Sequence, residues 1–253
     1  MRGLSGLGVG LTALFVAVAP GQAVAQEIPR VAQTNVNSWW TLALETPVRG
    51  KVGVRYETVA RRSDFLNTWF QLQFQPAVTY QFSSNVQGSL GYIWIRNGRY
   101  GENPVERPYL EQRVYAELRV REPLRKVELE HRFRFDHRYL QNFTSGSNYF
   151  WRRQERVRYQ ARMNFPLTPA RDGGRQWLIV GGGEILLHVG PNHGHSTFDQ
   201  NRVFAGLAYK FNPGNRLETV YLDQYRHLRD GAIAETNHTL RVQLTLDLHL
   251  FKR

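Results

Sequence analysis

Between Lys126 and Tyr139 every second residue is charged: Lys126, Glu128, Glu130, Arg132, Arg134, Asp136 and Arg138. The positions between them hold Val127, Leu129, His131, Phe133, Phe135, His137 and Tyr139. A period of two puts the two sets on opposite faces of an extended strand, whereas a helical face repeats about every 3.6 residues. The same scheme recurs along the chain. Leu110, Val114, Ala116, Leu118 and Val120 oppose Glu111, Arg113, Tyr115, Glu117, Arg119 and Arg121. Val157, Tyr159, Ala161, Met163 and Phe165 oppose Arg156, Arg158, Gln160, Arg162 and Asn164. Leu240, Val242, Leu244, Leu246, Leu248 and Leu250 oppose Arg241, Gln243, Thr245, Asp247 and His249. Earlier, Phe70, Leu72, Phe74, Val78, Tyr80 and Phe82 oppose Gln71, Gln73, Gln75, Thr79 and Gln81.

Alternation alone does not separate a sandwich with a buried core from a barrel in lipid. Length does more. These segments exceed the roughly 5–6 residues of ordinary soluble strands and reach the roughly 9–11 that cross a tilted bilayer path. Their polar faces carry both signs, which suits an enclosed lumen where charges pair across strands. Trp40, Trp69, Tyr92, Trp94, Tyr139, Trp151, Trp177 and Tyr209 fall toward segment ends, as interfacial girdles do. Short connections around 47–50, 83–85, 122–123, 166–174 and 212–215 interleave with longer polar ones at 97–108, 141–149, 190–199 and 229–237. Outer-membrane barrels alternate short periplasmic turns with long external loops in this way. The fold expected is an all-β, antiparallel up-and-down transmembrane barrel over residues 38–253. About eleven segments are countable, and bacterial single-chain barrels have an even number. Twelve strands is therefore the first expectation and ten the second, with residues 26–37 supplying an extra strand or a segment threading the lumen.

Residues 1–25 have the layout of a secretory signal: Arg2, an apolar run from Leu7 to Ala19, a break at Pro20-Gly21, and Ala23-Val24-Ala25 before a mature start at Gln26. Beyond it no apolar stretch approaches the roughly 18–20 residues of a spanning helix, and mean hydropathy is -0.48. There is no cysteine, which excludes disulfides, thiolate metal sites, thiol nucleophiles and lipoprotein anchoring. A net charge of +12 would suit a nucleic-acid binder. Here the aromatics lie mostly opposite the arginines, whereas single-strand binders interleave both on one surface, so no nucleic-acid partner is expected.

With those residues in view, the chain resembles the uncharacterised outer-membrane barrel family known as domain of unknown function 2490. The resemblance rests on Trp39-Trp40, Gly91-Tyr92 after a tight turn, Glu111-Gln112-Arg113, Glu130-His131-Arg132-Phe133-Arg134, Arg156-Val157-Arg158-Tyr159, and Glu184 in a glycine-flanked strand. It implies a fold and a location in the bacterial outer membrane, and no reaction.

By parity the lumen receives Glu111, Arg113, Glu117, Arg119, Glu128, Glu130, Arg132, Arg134, Asp136, Arg138, Arg156, Arg158, Arg162, Glu184 and Arg241. One reading is a set of salt-bridge ladders filling a narrow barrel; the sharper one is a wall with a residual preference for anions. Glu184, beside Gly181-Gly182-Gly183, is either a functional carboxylate or an arginine partner. The triplet opens no helix, so it is no phosphate cradle and fits a close approach in a strand. His193 and His195 are weak metal candidates without a third ligand. The Gly190-Pro191-Asn192-His193 opening looks like that of outer-membrane phospholipases, but His195 stands where their serine would be, and Ser196 has the wrong parity. His131 and His137 fall on the lipid-facing parity and receive no role. The expected function is a small pore or binding barrel with an Arg-rich lumen; a lipid-modifying enzyme and a surface-interaction barrel are the alternatives. No cofactor is implied. The partners expected are outer-membrane lipid, the barrel-assembly machinery, and a small anionic or hydrophobic solute.

Overall fold

The computed structural model describes residues 31–144, 146–192, 196–228 and 232–250. The export signal at residues 1–25 and the candidates His193 and His195 lie outside the described residues. Eleven strands follow one another around a closed barrel: β1 (Val31–Arg49), β2 (Val52–Ser63), β3 (Thr68–Gln81), β4 (Val86–Asn97), β5 (Tyr109–Leu124), β6 (Val127–Phe143), β7 (Tyr149–Pro166), β8 (Gln176–Val189), β9 (Phe198–Lys210), β10 (Arg216–Leu228) and β11 (Ile233–Asp247). Among the described residues, no helix is long and apolar enough to cross a membrane.

The count corrects the expectation of twelve strands or ten. Val31–Asn37 run straight on into Trp39 and Trp40 as the upper part of β1, so they lengthen a strand without adding one. An up-and-down barrel with an odd number of strands must close through one parallel pair. That pair is β1 with β11, in continuous register from Val31 opposite Ile233 to Glu45 opposite Asp247. Every other neighbouring pair is antiparallel.

Parallel pairing is slightly weaker per residue, and the inward side chains of this seam add a second set of bonds. The Gln33 amide donates to Glu235 at 2.6 Å, and the Asn35 and Asn37 amides both donate to Asn237 Oδ1, at 3.2 and 2.7 Å. Asn237 Nδ2 in turn donates to Glu235 at 2.6 Å. Asn37, Glu235 and Asn237 are wholly buried, so each lost bond strands a buried polar group at about 1–3 kcal/mol. Asn237→Leu removes the shared acceptor and is expected to lower unfolding stability by about 2–4 kcal/mol, measured as the urea midpoint of the refolded barrel. A midpoint equal to wild type would show that the ladder does not hold the seam.

Outward positions are apolar around the whole wall. Leu42, Val54, Val78, Leu90, Val114, Phe133, Val157, Ile185, Val203 and Tyr221, one on each of β1 to β10, are all exposed. Trp40, Trp69, Tyr92, Tyr139, Trp151 and Trp177 are exposed on the same face. The outward histidines are paired with phenols: His131 with Tyr159 and His137 with Tyr139, both at 2.9 Å, and His238 with Tyr221 at 2.7 Å. An imidazole on an apolar wall thereby keeps a hydrogen-bond partner.

Inward faces are not uniformly polar. Trp39, Leu178, Val180, Phe204, Ala208, Val220 and Leu222 form one buried apolar cluster, and Ala77, Ile93, Ile95 and Tyr115 another. Phe70 also points inward, against its parity, because it is the extra residue of a bulge where the β2·β3 register shifts between Arg61 and Arg62. Two glycines make room for the large side chains. A Cβ at Gly91 would stand 2.4 Å from the Tyr115 ring, and one at Gly182 would meet the Ala161 carbonyl at 2.3 Å and the Phe204 ring at 2.9 Å.

Candidate functional site

The interior polar face is an ion-pair lattice in which carboxylates are shared. Glu111 accepts from Arg113 and Arg138 at 2.6 and 2.7 Å. Glu117 faces Arg55, Arg119 and Arg134 at 2.9, 2.8 and 3.6 Å. Asp136 pairs with Arg134 and Arg156, both at 2.7 Å, and Arg156 reaches on to Asp199 at 2.8 Å. Glu184 serves three arginines: Arg132 at 3.0 Å, Arg202 at 2.7 Å, and Arg158. Arg162 and Arg241 meet on Glu218. Two of the acids named from sequence sit toward the short-turn rim. Glu130 faces the exposed Arg121 at 3.4 Å, and Glu128, itself exposed, accepts from Asn164 at 3.0 Å.

Parity in the most regular strands had marked only part of this lattice. Arg55, Arg61, Asp199, Arg202, Glu218, Arg226 and Glu235 also face inward. A usable signal existed on β2, where Arg55, Glu57 and Arg61 alternate with Tyr56, Thr58 and Ala60. On β9 and β10 the inward charges are interrupted by the apolar inward residues Phe204, Ala208, Val220 and Leu222, which weakens the period-two signal there.

These side chains enclose a cavity of about 210 Å³ on the long-loop side of the barrel. Its wall includes ten arginines (Arg61, Arg113, Arg132, Arg134, Arg138, Arg156, Arg158, Arg202, Arg226 and Arg241) against four carboxylates, Glu57, Glu111, Asp199 and Glu235. Its aromatic residues are Trp39, Phe70, Tyr100 and Tyr109, and Trp39 carries two arginines. The Arg61 guanidinium lies 3.8 Å above the indole and that of Arg202 5.2 Å from it. Register explains the closer contact, since Arg61 and Trp39 are directly opposed across the β1·β2 ladder.

The connection between β4 and β5 folds over the cavity instead of away from it. Tyr100 stacks on Phe70 at 3.8 Å between ring centroids and donates its hydroxyl to both oxygens of Glu235, at 3.0 and 3.2 Å. Burial pushes the Tyr100 phenol well above the ordinary tyrosine value, so it remains a donor. Asn103 holds Gln33 Oε1 through its backbone N–H and its side-chain amide. Beyond this strap lies a vestibule of about 540 Å³ that shares Asn103, Tyr109, Arg138, Asp199 and Arg226 with the inner cavity.

Toward the short turns the cavity has a floor. A third cavity of about 240 Å³ opens there, lined by Arg55, Thr79 and Gln87 among others, and shares no lining residue with the inner one. Between them Arg134 lies 3.6 Å over the Tyr115 ring, while Arg55 reaches across β3 and β4 to the Tyr115 hydroxyl at 3.4 Å and to Glu117.

No group of three or more histidine, cysteine, aspartate or glutamate side chains able to hold a metal occurs among the described residues. Ser196 Oγ donates to the Phe198 carbonyl at 2.8 Å and stands 3.4 Å from His227 Nδ1 at the vestibule rim.

No curated protein matches the chain in sequence. Among solved structures, the NanC porin in a rhombohedral crystal form aligns with a TM-score of 0.48 and 10% identity, over 85% of this chain and 99% of that one. The family described as "Protein of unknown function (DUF2490)" matches residues 36–235, and the chain belongs to that family.

Proposed function

We propose that the protein is a bacterial outer-membrane barrel whose interior binds a small anionic solute that enters from the long-loop mouth. The observation that carries the solute reading is the wall of the inner cavity, with its ten arginines and four carboxylates. Carboxylates shared between two or three arginines leave a positive field in an enclosed space, where low dielectric strengthens it. The membrane reading is supported by the apolar outer wall. Soluble monomers rarely expose contiguous apolar patches beyond about 300–600 Å², and here exposed apolar side chains occur on ten successive strands. The export signal read at residues 1–25 and assembly by the outer-membrane machinery belong to the same proposal. Because the arginines face inward, they offer little surface to a nucleic acid.

Both halves are testable on the expressed protein. It is expected to stay in the membrane fraction through carbonate washing and to migrate faster on gels unheated than boiled; release by carbonate alone would refute insertion. Purified and refolded in detergent, it is expected to bind small organic anions saturably and cations not at all, as read by calorimetry. Equal heats for both would remove the solute reading.

A further inference from the structure

The cavity wall is unbalanced in hydrogen bonding as well as in charge. Six buried side-chain N–H groups of its lining residues have no acceptor among the described residues: Trp39 Nε1, Arg61 Nε, Asn97 Nδ2, Arg132 Nε, Arg134 Nη2 and Arg241 Nε. No oxygen of that lining is left in the same condition. A buried donor without an acceptor is costly, and six around one small space describe a site made for a ligand rich in acceptors. Arg61 is the sharpest of them. Among the described residues it is the one arginine of this wall with no carboxylate within 4.0 Å. Stacking on Trp39 occupies the face of its guanidinium and leaves the in-plane donors free, which is the edge that grips oxyanions.

The donors also discriminate among anions. A halide is a single acceptor atom and a carboxylate has two oxygens, whereas a phosphate group brings three strongly accepting oxygens and about -1.5 to -2 charge. Glu184 is divided among three arginines and Glu111 between two, so more than one positive charge remains for a ligand to meet. The volume of about 210 Å³ lies below the roughly 300–1,000 Å³ of drug-sized sites and suits a small solute. Resting on the anion reading given above, we infer that the inner cavity binds a phosphate group, free or as the monoester of a small solute, with Arg61 held flat on Trp39 as its main anchor.

Calorimetry on the refolded barrel tests this with inorganic phosphate and glycerol phosphate, against succinate and chloride at matched ionic strength. Phosphate is expected to bind saturably and more tightly than succinate; the tighter of the two phosphate probes tells the free ion from the monoester. Arg61→Gln is expected to weaken phosphate about tenfold or more, the size of one lost charge-assisted contact. Arg153→Gln, on the outer wall at the long-loop end, is expected to change nothing. Phosphate no tighter than chloride, or an unchanged Arg61→Gln, overturns the inference. Succinate binding that depends on Arg61 without phosphate binding overturns the phosphate assignment and leaves the anion reading standing; heats from none of the anions remove both. If Arg61→Gln does not show the folded gel mobility, Arg61→Lys carries the test. Charge without the planar fork is expected to weaken phosphate severalfold, and unchanged affinity overturns the anchor role.

Discussion

Glu184→Gln is expected to cost about 3–5 kcal/mol of stability, the range for removing one partner from a buried ionic cluster, and to reduce refolding to a small fraction of wild type. The carboxylate joins Arg132 on β6, Arg158 on β7 and Arg202 on β9, and its side chain is only 1% exposed. Its loss leaves three guanidiniums in one buried space without a counter-charge, and glutamine can replace some of the hydrogen bonds but none of the field. The rim pair is the control. Glu128 is exposed and accepts from Asn164 at 3.0 Å, so Glu128→Gln is expected to change stability by no more than about 1 kcal/mol. Urea midpoints and the folded gel fraction measure both. Equal effects would mean that the interior is solvated enough to screen its charges.

The second large effect concerns the floor. Wild type in a planar bilayer is expected to show no sustained ion conductance, because the Arg134, Tyr115, Arg55 and Glu117 layer separates the inner cavity from the one at the short turns. The double substitution Arg55→Ser and Tyr115→Ala is expected to give discrete conductance steps. It removes the two side chains that span the gap while leaving Glu117 with Arg119 and Arg134, so the lattice keeps a counter-charge; because Tyr115 is also a core residue, the variant is recorded only from protein that shows the folded gel mobility. A wild-type protein that conducts freely, or a double variant that stays silent, would show that this layer is not the barrier.

How far the fold could be read in advance depended on whether a strand's two faces differed chemically. On β5, β6 and β7 one face is charged and the other apolar, and parity alone assigns the interior. On β8 and β10 the inward residues Leu178, Val180, Leu186, Val220 and Leu222 are as apolar as the outward ones, so alternation vanishes although the strands are just as regular. The interior is part ion lattice, part amide rows and part hydrocarbon core, and only the polar parts contrast with the outer wall in the sequence. Strand number failed for a different reason. Gln33, Asn35 and Asn37 alternate with Ala32, Thr34 and Val36 as an inward polar row should. A rule that bacterial barrels have even strand numbers turned that row into a separate element. Nothing local marks a parallel seam, because the partner strand lies some two hundred residues away. The candidate site was legible as a composition but not as a place. Arg61, the arginine without a carboxylate, stands out only after its neighbours are known to be paired.

The parallel seam also fixes where the chain can be cut and rejoined. Val31 begins β1 at the long-loop mouth and Asp247 ends β11 at the short-turn mouth, so the two positions are separated by the length of the barrel. Fifteen residues of paired strand span about 50 Å at roughly 3.3 Å per residue, which no short peptide bridge covers. A circular permutant therefore needs a linker as long as a strand. Laid in the wall between β11 and β1, that linker would run opposite to both neighbours, replace the one parallel ladder with two antiparallel ones, and give a twelve-stranded barrel.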